Sequence, residues 1–132
     1  MITEDYVSFE VAKLLNEKGF YAHTEHNMWY VVKEFSTGCH WNSCTYKVGD
    51  ITREYDKKYC IVMPTLQMAI KWLRETHNYV INVNYIDFLE FGEVWSYTII
   101  DKSTFAEYYK DTENSYELAA EAAIKYCLEK LI

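Results

Sequence analysis

The chain has 132 residues, half of them hydrophobic, with 20 acidic against 13 basic side chains and a formal net charge of -7. This length suits one folded domain with its own hydrophobic core. The negative charge repels phosphate backbones and anionic lipid surfaces, so we expect neither nucleic-acid binding nor membrane association. A single proline and four glycines leave no linker-like stretch, which predicts a single domain over residues 1–132.

The lack of a predicted export signal or membrane span indicates the cellular compartment. Glu4 and Asp5 interrupt the start of the chain, and no apolar run approaches the length of a membrane span. We therefore expect a cytoplasmic protein whose four cysteines are reduced thiols. No motif for a cofactor is present, and none is expected.

The first predicted element is a helix over about residues 9–18. Ser8 is a favourable N-cap, and Gly19 can supply the left-handed residue that ends a helix. Val11, Leu14 and Leu15 form its apolar stripe.

Residues 28–32 and 59–63 are rich in aromatic and β-branched side chains, which predicts two strands. The segment 33–58 between them is polar and irregular, with room for one further strand around residues 45–48.

The clearest element is a helix within residues 63–78. Pro64 suits a position at or before its start, Thr65 can cap its first amides, and Asn78 tolerates the left-handed turn at its end. Its buried face is expected to contain Leu66, Ile70 and Leu73. Burial of each would contribute about 1.5–3 kcal/mol of transfer free energy.

Alternating side chains over residues 79–86 and 93–100 predict two antiparallel strands joined through residues 87–92, with Asn82 and Asn84 on a wet face. Helical spacing of apolar residues predicts a last helix over about 116–131. The expected fold is α+β, a helix followed by two ββα units, with a mainly antiparallel sheet and helices packed on one face.

The proline-threonine-leucine start of the central helix and its Trp72-Leu73-Arg74-Glu75 run, together with residues 8–20 and 122–132, resemble small uncharacterised proteins of Bacteroides-type gut bacteria and their phages. The resemblance covers about half of the chain. It implies a phage-related setting, and it implies no catalytic residue.

The chain carries 13 tyrosines, 4 tryptophans and 6 phenylalanines, which is more aromatic surface than a small core readily absorbs. Such side chains are enriched at interaction hot spots, which favours a module that binds a protein partner or itself. The alternative is that they serve cross-strand and helix-to-sheet packing. The candidate binding residues are Trp29, Trp41, Trp72, Trp95 and Tyr97.

Three other functions are less favoured. Cys39, His40 and Cys44, with His23 and His26 upstream and Cys60 downstream, are weak candidates for a zinc-stabilised domain, because the spacing lacks two regular ligand pairs. Cys39 or Cys44 with His77 could form a Cys-His hydrolase, although no catalytic motif is present and a non-enzymatic role is favoured. Acidic groups around the predicted hairpin and in the loop suggest an acidic nucleic-acid mimic; they are Asp87, Glu90, Glu93, Asp50, Glu54 and Asp56.

Overall fold

A computed structural model describes residues 5–20, 28–32, 41–45, 60–88 and 92–132 of the protein, with the backbone alone at 28–32, 41–45, 60–62, 87–88 and 111–112. The fold belongs to the α+β class. Two compact units are present, which we call the N-terminal unit (residues 6–65) and the C-terminal unit (residues 1–5 and 66–132). The expectation of a single domain stays a prediction.

The N-terminal unit begins with helix α1, Phe9–Glu17, as the sequence predicts. The Ser8 hydroxyl accepts a hydrogen bond from the Val11 amide at 3.3 Å, and Gly19 has a left-handed φ of 92°. Both ends of the helix therefore follow from the residue types at its caps. Val11, Ala12 and Leu15 are its buried residues, so Ala12 joins the core where Leu14 was expected.

The sheet of the N-terminal unit is antiparallel and has three strands, the first along the chain lying between the other two. Its strands are β1, Met28–Val32, β2, Trp41–Thr45, and β3, Cys60–Val62, and α1 lies against β3. The strand predicted at 28–32 is confirmed, and the one predicted at 59–63 is confirmed over Cys60–Val62, with residue 59 outside the described residues. The further strand starts four residues before the predicted one, because the pairing of Val32 with Trp41 and of Met28 with Thr45 sets its register. Residues 46–48, where we expected it, lie outside the described residues.

The C-terminal unit begins with helix α2, Leu66–Thr76. The Leu66 amide, one of the donors without a partner inside the helix, bonds to the Asp5 carbonyl at 2.9 Å. Asn78 follows the helix with a φ of 63°, as predicted for the residue that ends it. The predicted buried face is confirmed, with Ala69 added to it.

The sheet of the C-terminal unit contains, in spatial order, the strands Tyr79–Phe88 (β4), Gly92–Asp101 (β5) and Glu107–Glu113 (β6), and it is antiparallel throughout. Strand β4, Tyr79–Phe88, and strand β5, Gly92–Asp101, form the predicted pair. Ile81 is buried opposite Ile99, whereas Asn82 and Asn84 are exposed, which confirms the wet face.

Strand β6, Glu107–Glu113, was not predicted, and it corrects the expectation of two ββα units. The described C-terminal unit has the order αβββα. The strand EYYKDTE is mostly polar and lacks apolar alternation, as is common at a sheet edge. It pairs antiparallel with β5.

The last helix, α3, spans Tyr116–Tyr126, and the chain continues as a π-helical turn over Cys127–Leu131 instead of the predicted uniform helix. Ser115 caps α3 by accepting the Leu118 amide at 3.1 Å. The Tyr79 hydroxyl donates to the Leu131 carbonyl at 3.2 Å, so the first residue of β4 satisfies an acceptor in the final turn. Helices α2 and α3 contact each other and the sheet.

Leu73→Asp tests the C-terminal core, because Leu73 is fully buried and the new carboxylate would have no partner. We expect the free energy of unfolding to fall by more than about 4 kcal/mol, enough to unfold the unit. Urea titration followed by far-UV circular dichroism measures this. The matched control is Lys71→Asp at an exposed position of the same helix, which should change stability by less than about 1 kcal/mol. Equal losses for both variants would contradict the packing of α2.

Candidate functional site

Trp95 lies on the central strand of the C-terminal sheet, where residues of the neighbouring strand set its surroundings. Its cross-strand partner is Tyr85 on β4. The two rings meet edge to face, with centroids 5.1 Å apart and an interplanar angle of 61°. This geometry is favourable for aromatic pairs, because the positive edge of one ring meets the negative face of the other.

The first residue of α3 adds a third ring. Tyr116 meets Trp95 edge to face, with centroids 5.6 Å apart and an angle of 85°. Its hydroxyl accepts a hydrogen bond from Gln67 Nε2 at 2.7 Å, which joins the start of α2 to the start of α3. We call Tyr85, Trp95 and Tyr116 the aromatic cluster.

The aromatic cluster is partly open to solvent. Tyr85 is 54% exposed, and Trp95 and Tyr116 are half-buried. The indole N–H of Trp95 donates to the carboxylate of Glu93 at 2.6 Å, and Glu93 is itself exposed. The cluster therefore presents aromatic surface beside a carboxylate, with the rings held by contacts from two strands and a helix.

The other candidate binding residues lie in different surroundings. Tyr97 is only 5% exposed, and burial, followed by the nearby Tyr126 and Glu113, raises the pKa of its hydroxyl. Tyr97 thus belongs to the core.

The three remaining candidates are tryptophans. Trp72 is half-buried against His77. Trp29 and Trp41 lie on β1 and β2, where the backbone alone is described.

Sequence reasoning identified Trp95 but missed Tyr85 and Tyr116 as its neighbours. The signal for Tyr85 was available, since it lies in phase with Ile81 and Val83 along β4, on the same face as the helices. The position of Tyr116 depends on how α3 packs against the sheet. The alternation of side chains along a strand gives no information about that packing.

A third aromatic side chain missed from the sequence is Phe105, in the turn between β5 and β6. It is 80% exposed and has a left-handed φ of 62°, which is unfavourable for a bulky residue. Its amide donates to the Asp101 carbonyl at 2.8 Å, and the Asp101 side chain accepts from the Ser103 amide at 2.8 Å. These bonds hold the turn that imposes the backbone conformation.

The candidate zinc ligands Cys39 and His40, with His23 and His26, lie outside the described residues, and at Cys44 and Cys60 only the backbone is described. Within the described ranges, no group of three His, Cys, Asp or Glu side chains could hold a metal ion. The zinc hypothesis stays a prediction.

Cys127 is the cysteine whose side chain the structure describes, and it is fully buried. Burial raises the pKa of its thiol to about 12, so the thiol stays protonated near neutral pH and is a poor nucleophile. It acts as a core residue, consistent with its place on the apolar side of the last helix.

The acidic groups that suggest a nucleic-acid mimic are only partly described. Glu93 is exposed and bonded to Trp95, and the backbone register pairs it with Asp87. Asp50, Glu54, Asp56 and Glu90 lie outside the described residues.

No protein family, curated protein or solved structure matches the chain significantly. None of the helices in the described part of the chain is long and apolar enough to cross a membrane.

His77 follows α2 and packs its ring against Trp72, with centroids 4.7 Å apart and an angle of 71°. Its Nε2 atom is buried and has no hydrogen-bond partner among the described residues. Burial lowers the pKa of His77 below the ordinary value of 6.5, because the charged imidazolium would be poorly solvated. The ring is therefore neutral at pH 7.

The lowered pKa of His77 predicts a loss of stability in acid. Well above pH 6.5 the folded and unfolded states both carry a neutral ring. Below pH 6.5 the unfolded state takes up a proton before the folded state does, so the free energy of unfolding falls as the pH falls toward the folded-state pKa. Urea titrations between pH 7.5 and 5.5 should show this decline.

His77→Gln is the control for this titration, since it removes the ionising group and leaves the other histidines in place. The wild-type protein should lose more stability than the variant on acidification. A larger decline in the variant would mean that the Trp72 ring stabilises the imidazolium and raises its pKa.

Phe105→Gly tests whether the left-handed backbone conformation at the exposed Phe105 lowers the free energy of unfolding. Glycine adopts positive φ without the steric cost of about 1–2 kcal/mol that an L residue pays, although it also gains entropy in the unfolded chain. We expect a net gain of up to about 1 kcal/mol in the free energy of unfolding. Phe105→Ala keeps the backbone cost and should show no gain. Equal losses in both variants would instead assign Phe105 a packing role.

Proposed function

We propose that the protein is a small cytoplasmic accessory protein of a phage or mobile element, acting as an interaction module that binds a protein partner through the aromatic cluster. The observation that carries the proposal is the partial exposure of three rings held edge to face. Tyrosine and tryptophan supply large contact area with few rotatable bonds, so little side-chain entropy is lost on binding.

The contacts inside the cluster favour binding further. Tyr85 is fixed by Trp95, Trp95 by Glu93 and Tyr116, and Tyr116 by Gln67. A surface that is already ordered pays a smaller cost when a partner docks on it. Packing alone accounts for these contacts as well, but it does not require Tyr85 to remain 54% exposed.

The test is affinity capture from a lysate of a Bacteroides-type bacterium, the setting that the sequence resemblance implies. Tyr85→Ala removes the most exposed ring and should lower recovery of a specific partner about tenfold or more, as truncation of an aromatic hot spot does. Quantitative mass spectrometry compares the captured proteins.

Tyr109→Ala is the matched control, since it also replaces an exposed tyrosine with alanine. Tyr109 is 61% exposed on β6. A partner captured by the wild-type protein and by the Tyr109 variant, but lost with the Tyr85 variant, supports the proposal. If no captured protein depends on Tyr85, the cluster is packing and the proposal fails. Thermal unfolding of each variant verifies that both remain folded.

A further inference from the structure

The hydrogen bonds within the aromatic cluster limit which chemical groups it can recognise. A carbonyl-rich or proline-rich segment would seek a tryptophan N–H as donor, but the Trp95 N–H already donates to Glu93 at 2.6 Å. The Tyr116 hydroxyl already accepts from Gln67. A ligand can still meet aromatic ring surface, the donating O–H groups of Tyr85 and Tyr116, and the carboxylate of Glu93, which accepts hydrogen bonds and carries negative charge.

The residues around the cluster add negative charge. Glu117 is exposed in the first turn of α3, next to Tyr116. Its full charge outweighs the partial positive charge of about one half at the helix N-terminus. Glu113 is the β6 residue paired with Trp95, and Lys110 offsets it at 3.2 Å. The charge beside the rings is therefore carried mainly by Glu93, with Glu117 in the same helical turn as Tyr116, in a chain whose formal net charge is -7.

We propose that the aromatic cluster, together with Glu93, binds a cationic arginine or lysine side chain of a protein partner. A guanidinium or ammonium group is attracted to the face of an aromatic ring, and a carboxylate beside the ring supplies a charge-assisted hydrogen bond. This inference rests on the proposed interaction function and names the chemistry of its partner.

The test uses capped peptides with one central residue between glycines, titrated into the isotopically labelled full chain at low salt. The central residue is arginine, lysine or citrulline, the last being a neutral analogue of arginine. The reporter is the NMR signal of the Trp95 indole N–H, assigned by its absence in Trp95→Phe. This proton lies in the bond to Glu93, so a ligand at that carboxylate shifts it.

We expect saturable shifts with the arginine and lysine peptides and binding at least about threefold weaker for citrulline, the size expected for a cation near an exposed ring. Added salt should weaken the binding of the charged peptides. No shift up to the solubility limit, or equal binding of the citrulline peptide, would overturn the inference.

Glu93→Gln is the informative variant, because glutamine retains an oxygen that can accept the Trp95 N–H while the charge is lost. It should weaken arginine binding by about threefold or more. Glu107→Gln, at an exposed position at the start of β6, makes the same chemical change as a control and should leave binding unchanged. Equal effects of the two variants would indicate general electrostatic attraction and overturn the assignment to the cluster.

The two proposals fail separately. A lysate partner that requires Tyr85, with no preference for arginine over citrulline, would overturn the cationic ligand and leave the interaction function standing. Arginine binding at Trp95 without any Tyr85-dependent partner would overturn the interaction function and leave the ligand chemistry standing.

Discussion

The arrangement of the C-terminal unit depends on the burial of apolar side chains between two helices and the central strand β5. Leu73 of α2, Ile99 of β5 and Ile124 of α3 are each fully buried. Because alternate residues of a strand point to the same face, the inward position of Ile99 also places Tyr97 and Trp95 on the helix side. Tyr97 is buried. Trp95, nearer the start of β5, lies beside the first residue of α3 and remains half-buried. The aromatic cluster is therefore the exposed end of this core.

The preformed contacts within the cluster explain how a small unit can keep aromatic rings at its surface in a defined arrangement. The edge-to-face contacts and the bond from Trp95 to Glu93 restrict the rings before any partner arrives. The rings are ordered when the chain folds, so the entropy cost of ordering them is not paid again when a partner binds. The same bond occupies the indole donor and leaves a negatively charged carboxylate beside the rings, which favours a basic partner.

The helices could be predicted well from the sequence because their signals are local. Ser8, Gly19 and Asn78 act at the helix ends through their own chemistry, and the apolar spacing of α2 identifies its buried face. Strand β6 could not be predicted, because a polar edge strand owes its conformation to the neighbour it pairs with. For the site, Trp95 could be selected from its residue type. The burial of Tyr97 and the neighbours of Trp95 depend on where α3 crosses the strands, which alternation alone does not determine.

The most direct test of the central claim is photo-cross-linking in cells from position 85, with benzoylphenylalanine in place of Tyr85. The exposed ring of Tyr85 should lie within reach of the partner, so we expect irradiation to give a discrete cross-linked protein. The same cross-linker at position 109 should not yield that product. A product from position 109 alone, or none from position 85, would contradict the account and return the aromatic cluster to a purely structural role.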